Sequence, residues 1–403
     1  MEVEGAGLRQ DGYCPHSFSS GPPKGKYNPY LLRVGFAPAR DRLRDDAPVM
    51  RRSAGKGFSH VPMTDLFARI VEFENLHTAY RSARVGKRYR SSILKFGYKL
   101  EENLLALRWE LAHKTYRHGG YREFVVTDSK KRTIKAAPFR DRVVHHAVCN
   151  IIEPMLDKGF VYDSYACRKG KGTHAAIRRL EYFIKSLGSG TRERERERDE
   201  MHRARIYCLK CDISKYFDNV DHEILLGILR RKIHDEDILW LLREIIASNP
   251  RGIPIGNLTS QLFANIYLNE LDHFVKRELR EKCYLRYMDD FLMLGPDAKH
   301  LHETKERIKL FLHDRLKLAL HPKKAEIFPI DRGVDFLGYV VRDGKRLLRK
   351  STVKRFMKKK RRYEAMVRDG KLSDAWFHNV RRSWRGYASF ADAYKLMEKL
   401  GLN

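Results

Sequence analysis

Apolar residues in this chain alternate between two periods, and the switches divide it into helices and strands. Leu66, Phe67, Ile70, Val71 and Phe73 form one helical stripe behind Thr64 or Asp65, either of which can cap it. A second helix is expected near 92–113 on Leu94, Leu104, Leu105, Leu107 and Leu111. Tyr121-Arg122-Glu123-Phe124-Val125-Val126 and Thr133-Ile134 flank Ser129-Lys130-Lys131-Arg132, which predicts a hairpin with a basic tip. Val143, Val144, Val148, Ile151 and Ile152 predict the next helix, and its His145 and His146 are read as packing or surface residues. Further helices are expected behind Asp221 (Ile224, Leu225, Ile228, Leu229), over Ile238–Ile246, over Leu262–Leu279, and over Leu301–Leu318.

Strand-like runs fall between these helices. Ile206-Tyr207-Cys208-Leu209-Lys210-Cys211 ends at Asp212, and Phe336-Leu337-Gly338-Tyr339-Val340-Val341 reads as one short strand. Tyr284-Leu285-Arg286-Tyr287 and Phe291-Leu292-Met293-Leu294 enclose Met288-Asp289-Asp290, which predicts a hairpin with the aspartates at or beside its turn. Asn or Gly would suit a tight turn better than two like charges. Adjacent carboxylates repel unless a cation lies between them, and Mg²⁺ is held by one or two carboxylates plus substrate phosphates. Taken alone, the pair is more simply a solvated acidic turn.

Charge changes that picture. The 403 residues carry 81 Lys and Arg against 51 Asp and Glu, a formal net charge of +30. Such an excess points to a polyanionic partner. No apolar run approaches the roughly 18 residues needed to cross a bilayer, and no secretory signal is visible at the N-terminus. Nucleic acid is therefore the expected partner rather than a membrane. Six cysteines are too sparse for a disulfide framework, which suits a reducing cytoplasm. Cys208 and Cys211 lack two further zinc ligands at a suitable spacing and are expected to pack as small apolar groups.

Several basic segments are candidate contacts. Arg168-Lys169-Gly170-Lys171-Gly172-Thr173-His174 ends at a helix N-terminus, a general phosphate-binding arrangement without the spacing of a Walker A loop. From Arg349 to Arg362, nine of fourteen residues are Lys or Arg, followed by Trp376, Trp384, Tyr387 and Phe390. That pattern fits a basic helical module able to track a duplex backbone. Gly188-Ser189-Gly190-Thr191 is expected to break the preceding helix, and the Arg-Glu alternation from Arg192 to Arg198 reads as a solvated insertion.

A strand ending at Asp212 and a hairpin bearing Asp289 and Asp290 could bring three carboxylates from two strands onto two metals, the arrangement of in-line phosphoryl displacement. Tyr287-Met288-Asp289-Asp290 resembles the signature of reverse transcriptases, and Asp212 with Phe217 resembles their first palm motif. The resemblance runs from about residue 66 to the C-terminus, with the family's order of features: basic fingers, first aspartate, Gly256-x-x-x-Ser260-Gln261, aspartate hairpin, Lys323-Lys324, Phe336-Leu337-Gly338.

The resemblance implies an α+β right-hand polymerase fold: fingers, a palm of antiparallel sheet packed on helices, and a helical thumb. It divides the chain into an N-terminal extension (1–63), fingers and start of palm (64–205, charged insertion 188–200), palm (206–345) and basic thumb (346–403). It implies two Mg²⁺ ions, or Mn²⁺ in their place, on Asp212, Asp289, Asp290 and the Ile213 carbonyl. Phe217 would be the steric gate against a 2′-OH. Arg132, Lys131, Ile255, Gln261 and Lys324 would meet the incoming dNTP, and Phe336, Leu337 and Gly338 would grip the primer. Arg168, Lys169, Lys350, Lys354, Arg355, Lys358 and Arg361 would contact template RNA and the RNA–cDNA duplex.

Ser260-Gln261, Tyr121-Arg122-Glu123-Phe124, Tyr165-Ala166-Cys167-Arg168, Lys171-Gly172-Thr173-His174 and Ser383-Trp384-Arg385-Gly386-Tyr387-Ala388 resemble enzymes of diversity-generating retroelements. Those are cytoplasmic, bacterial or phage-encoded enzymes that copy RNA with errors at adenines, working with a structured RNA and a small basic accessory protein. No maturase or His-Asn-His extension is expected after the thumb. The competing expectations are an antiviral-defence reverse transcriptase using its own noncoding RNA, and a non-catalytic RNA-binding protein of the same fold.

Overall fold

Hydrophobic strand runs at the middle of the chain build a four-stranded antiparallel sheet, and the other elements are placed around it. The computed structural model describes residues 66–127, 131–195, 205–342 and 344–402. The extension 1–63, the Thr64/Asp65 cap, Ser129 and Lys130 at the hairpin tip, and residues 196–200 of the charged run lie outside the described residues.

Helices α1 (Leu66–Val71), α2 (Phe73–Ala83), α3 (Ser91–Tyr98) and α4 (Leu100–Ala112) come first. Strands β1 (Arg122–Thr127) and β2 (Lys131–Ala136) then form the basic-tipped hairpin. Helices α5 (Phe139–Asp157) and α6 (Thr173–Glu195) lead into β3 (Tyr207–Asp212). Next come α7 (Tyr216–Asn219), α8 (His222–Arg230), α9 (Glu236–Ala247) and α10 (Leu258–His273), the last extended by a π-helical turn over Phe274–Glu278. Strands β4 (Tyr284–Tyr287) and β5 (Asp290–Gly295), helix α11 (Ala298–Leu316) and strand β6 (Glu326–Pro329) complete the central unit. A second sheet of β7 (Val334–Phe336), β8 (Tyr339–Arg342) and β9 (Lys345–Leu348) precedes α12 (Lys350–Arg368), α13 (Asp374–Ala388) and α14 (Tyr394–Lys399).

The central sheet has the order β4-β5-β3-β6. Both of its faces are covered, which explains why Phe291-Leu292-Met293-Leu294 is apolar without alternation. Leu209, Cys211, Phe291 and Met293 enter one core, with α5, α8, α9, α10 and α11. Cys208, Leu285, Leu292 and Leu294 enter another, with α6, β7, β8 and residues from the C-terminal helices. The two cysteines are fully buried apolar fillers, and burial pushes the Cys211 thiol up to about 12. His145 is also buried, its ring stacked on His118 at 5.2 Å, and burial holds it well below the usual imidazole range.

Several boundaries differ from the sequence reading. The first stripe is divided at Glu72, and the 92–113 helix at Lys99, whose ψ of 53° leaves the helical region. Helix α10 starts at Leu258, four residues early. Helix α6 runs on through Gly188-Ser189-Gly190-Thr191 to Glu195, because Arg and Glu propagate helix well enough to carry two glycines. Residues 336–341 are not one strand. Leu337 and Gly338 have φ of +50° and +91° and make a two-residue turn between β7 and β8, the geometry that hairpin twist favours. Asp221 caps α8 as expected, accepting the Ile224 amide at 3.0 Å.

Candidate active site

The register of the central sheet brings the aspartates together. Asp212, the last residue of β3, lies directly opposite Asp290, the first of β5. Tyr287 pairs with Asp290 across the β4–β5 hairpin, so Met288 and Asp289 are its two turn residues. Met288 takes φ +60°, a left-handed conformation that a non-glycine residue holds only when its surroundings enforce it. The enforcement is visible on both sides of the turn. Ile213 donates its amide to the Asp289 carbonyl at 3.2 Å, and the Arg286 guanidinium donates to the Met288 carbonyl at 3.0 Å.

Electrostatics mark this cluster as short of positive charge. Burial pushes the Asp290 carboxyl up to about 7, opposed by Lys210 and reinforced by Asp289 and Asp212. Burial and Asp212 likewise push Asp289 up, against Lys324 and Arg132. Asp290 Oδ1 is buried without a hydrogen-bond partner, an arrangement native proteins rarely leave uncompensated. Among the described residues no three His, Cys, Asp or Glu side chains are gathered closely enough to cage an ion unaided. A Mg²⁺ site does not require that, because substrate phosphates and water complete its shell. The oxygen-only donors, the orphaned Oδ1 and the raised carboxyls therefore fit a hard divalent cation.

The surrounding candidates take their places by backbone contacts. Lys324 Nζ sits 2.5 Å from Asp212 Oδ2, while Lys323 is exposed. Phe217, on α7, packs at the core margin with its ring 5.4 Å from that of Tyr216. Its carbonyl accepts the Ile253 amide at 2.8 Å. Gly252, at φ +63°, is required there, since a Cβ would strike the carbonyls of Phe217 and Asp218. The Ile255 carbonyl accepts the Lys135 amide at 3.1 Å, tying the loop before α10 to β2, the strand of Lys131 and Arg132. Gln261 is half-buried in the first turn of α10. Phe336 is fully buried, and the Leu337-Gly338 turn is held by Tyr387 of α13, whose hydroxyl donates to the Gly338 carbonyl at 3.1 Å.

The basic candidates separate into two groups. Lys350, Lys354, Lys358 and Arg361 are exposed along α12, with Arg355 half-buried. Lys169 is exposed too. Arg168 departs from expectation. Its guanidinium is 8% exposed and pairs with Asp157 at 2.6 Å, and it also donates to the Val161 and Ser164 carbonyls. It holds its loop together and has no face left for phosphate. Lys171 is similarly engaged, over the Tyr162 ring at 3.3 Å and with the Tyr162 carbonyl at 2.9 Å.

Two site residues went unnoticed in the sequence. Lys210 reaches the Asp335 carbonyl at 2.5 Å and, with Arg349, opposes the raised Asp290. Arg286 is 1% exposed beneath the hairpin. The signal was available in both cases, since a lone charge inside an otherwise apolar strand run must be paired.

Comparison with known proteins identifies the family. The sequence model of the reverse transcriptase (RNA-dependent DNA polymerase) family matches residues 125–341, and the chain belongs to that family. It is an RNA-directed DNA polymerase with the right-hand α+β fold. The chain is 28% identical to Protein YkfC of Escherichia coli over 296 residues, covering 62% of this chain and 73% of that one. It is 26% identical to the group II intron-encoded protein LtrA of Lactococcus lactis over 337 residues, covering 65% of this chain and 53% of LtrA. The chain thus spans about half the length of LtrA. A telomerase structure from Candida albicans, in complex with a fragment of telomeric RNA, aligns with a TM-score of 0.43 at 13% identity, over 62% of this chain and 51% of that one. Among the described residues no helix is long and apolar enough to cross a membrane.

Proposed function

We propose that the chain copies a template RNA into cDNA by two-metal nucleotidyl transfer at Asp212, Asp289 and Asp290. The observation that carries this reading is the pairing of Asp212 with Asp290 beside a turn that presents Asp289. Asp212 and Asp289 would be the main holders of two Mg²⁺ or Mn²⁺ ions, with the Ile213 carbonyl a further ligand and Asp290 the adjoining carboxylate. When bound, such ions supply charge for an attacking 3′-hydroxyl and a departing pyrophosphate. Lys131 and Arg132 neutralise the triphosphate, and Lys324 stands where a proton can pass to the leaving group. The Phe217 ring lies under the sugar and excludes a 2′-OH. Ile255 and Gln261 border the nascent base pair, Phe336, Leu337 and Gly338 hold the primer end, and Lys169 with the exposed face of α12 follows the duplex.

The retroelement resemblance of the loop Ser260-Gln261 and of the runs around Tyr121, Tyr165, Lys171 and Trp384 supports a finer reading. In it the enzyme is error-prone at template adenines and works with a structured RNA and a small basic accessory protein. The test is primer extension on RNA with Mg²⁺ and dNTPs, followed by sequencing. Asp289→Ala with Asp290→Ala is expected to abolish extension while leaving RNA affinity within about twofold, because the lost groups carry chemistry rather than phosphate contacts. Unchanged extension by that variant refutes the site, and uniform errors across all four template bases refute the finer reading.

A further inference from the structure

Arg286 stands in β4, two residues before the turn that opens at Met288, and is almost completely buried. A guanidinium in a sheet interior is tolerated only when every donor is met. Here all five are. Nε donates to Asp272 Oδ1 at 2.7 Å, and Nη2 donates to Asp272 Oδ2 at 2.6 Å and to Ser164 Oγ at 3.1 Å. Nη1 donates to the Met288 carbonyl at 3.0 Å and to Asn265 Oδ1 at 3.4 Å. Asp272 and Asn265 are buried residues of α10, and Tyr284 donates its hydroxyl to Asp272 Oδ1 at 2.7 Å. The Arg286 backbone is pinned as well, its amide to the Asp163 carbonyl at 2.9 Å and its carbonyl to the Tyr165 amide at 3.0 Å.

One of these bonds reaches the site. The Met288 carbonyl belongs to the peptide that joins Met288 to Asp289, and Met288 is the turn residue with φ +60°. The β4–β5 ladder ends at the Tyr287–Asp290 pair, so it cannot fix that peptide. We propose that Arg286 is the positioning residue of the aspartate hairpin: its guanidinium locks the Met288–Asp289 peptide against α10 and the 163–165 loop, and so aims the Asp289 carboxylate. The inference rests on Asp289 being a carboxylate of the catalytic centre. An ordinary buried ion pair would stabilise the core equally well, but it would leave the chemical step alone once the core was repaired.

The experiment follows single-nucleotide addition by the full chain on an RNA template with a DNA primer and Mg²⁺. Arg286→Gln combined with Asp272→Asn leaves no unpaired buried charge and keeps an acceptor for Tyr284, yet its shorter amide cannot span to the Met288 carbonyl. Its maximal rate at saturating dNTP is expected to fall about 30-fold, as for a reacting group displaced by a fraction of an ångström. Half-saturating dNTP and primer–template affinity are expected to change by less than about threefold, the signature of an effect confined to the transition state. Arg286→Lys, which keeps the charge facing Asp272 but loses the fork, should show the same split to a smaller degree. It decides the matter if the double variant does not fold. A folded variant with an unchanged maximal rate, or one whose rate loss is matched by lost primer–template affinity, overturns the proposal. Asp289→Ala run alongside separates the two readings. Extension by that variant removes the site itself, whereas an inert Asp289→Ala beside a fully active Arg286 variant removes only the positioning role.

Discussion

Lys324 and Asp212 form an ion pair at 2.5 Å, built by a turn that is fastened to the end of β3. The His321 amide donates to the Asp212 carbonyl at 2.7 Å, and the Lys324 amide donates to the His321 carbonyl at 3.0 Å. The lysine is therefore delivered to the first aspartate by backbone geometry rather than by a flexible reach from the surface.

If Lys324 serves the leaving group, Lys324→Ala should slow single-nucleotide addition by about 10²-fold, the usual scale for a lost proton donor. Lys324→Arg should recover charge but little rate, because a guanidinium does not release its proton near neutral pH. Pre-steady-state rates for both variants check this, and a Lys324→Ala rate within a factor of two of the native one contradicts it.

Asp290 gives the metal-free protein a distinctive pH dependence. Its carboxyl is raised to about 7 in the folded chain, chiefly by burial, against about 3.9 for an unperturbed aspartate. Between those values the folded state binds the extra proton, so its contribution favours folding at low pH and is lost as pH rises through 7. Asp290→Asn should therefore raise the melting temperature in EDTA, and the gain over native should grow from pH 4.5 to pH 7.5. Added Mg²⁺ should narrow the gain by stabilising the native carboxylate. A gain that is flat across pH would refute the assignment.

Phe217 lies on the short α7, fixed from below by the Ile253 amide. Phe217→Val should leave dNTP addition largely intact and raise ribonucleotide incorporation by about 10- to 100-fold, the range within which an apolar pocket discriminates by shape. Competition between dCTP and CTP on one template base measures the ratio directly.

The exposed cations of α12 should act additively and without regard to sequence. Replacing Lys354 and Lys358 by Ala should weaken duplex binding and reduce the slope of log affinity against log salt by about 0.7–0.9 for each phosphate that is no longer neutralised. Arg168→Ala, by contrast, should lower the melting temperature with little change in that slope, because its guanidinium is spent on Asp157 and on backbone carbonyls.

What was legible in the sequence follows from what each signal can carry. The aspartate hairpin and the strand ending at Asp212 were readable because period and chemistry coincide there, and both lie where expected. Asp221 was readable as a cap for the same reason. The turn at Leu337-Gly338 was not, since two left-handed residues inside an apolar run leave the run looking continuous. Arg168 was misread because a basic Gly-rich loop looks alike whether its guanidinium points outward or into the fold. Arg286 stands out in the sequence only as a lone charge in an apolar run, and its role is not legible there, because its side-chain acceptors are 14, 21 and 122 residues away.

The order of strands in the central sheet also sets a timetable. β3 pairs with β5 on one edge and β6 on the other, and both are later in the chain. Asp212 therefore leaves the ribosome 78 residues before its partner Asp290, an interval of roughly 4–16 s at 5–20 residues per second. Throughout that interval an apolar strand has two open edges, the state most open to pairing with another chain. Slowing translation between codons 213 and 290 would lengthen that exposure, so the yield of soluble enzyme is tied to codon choice in this interval.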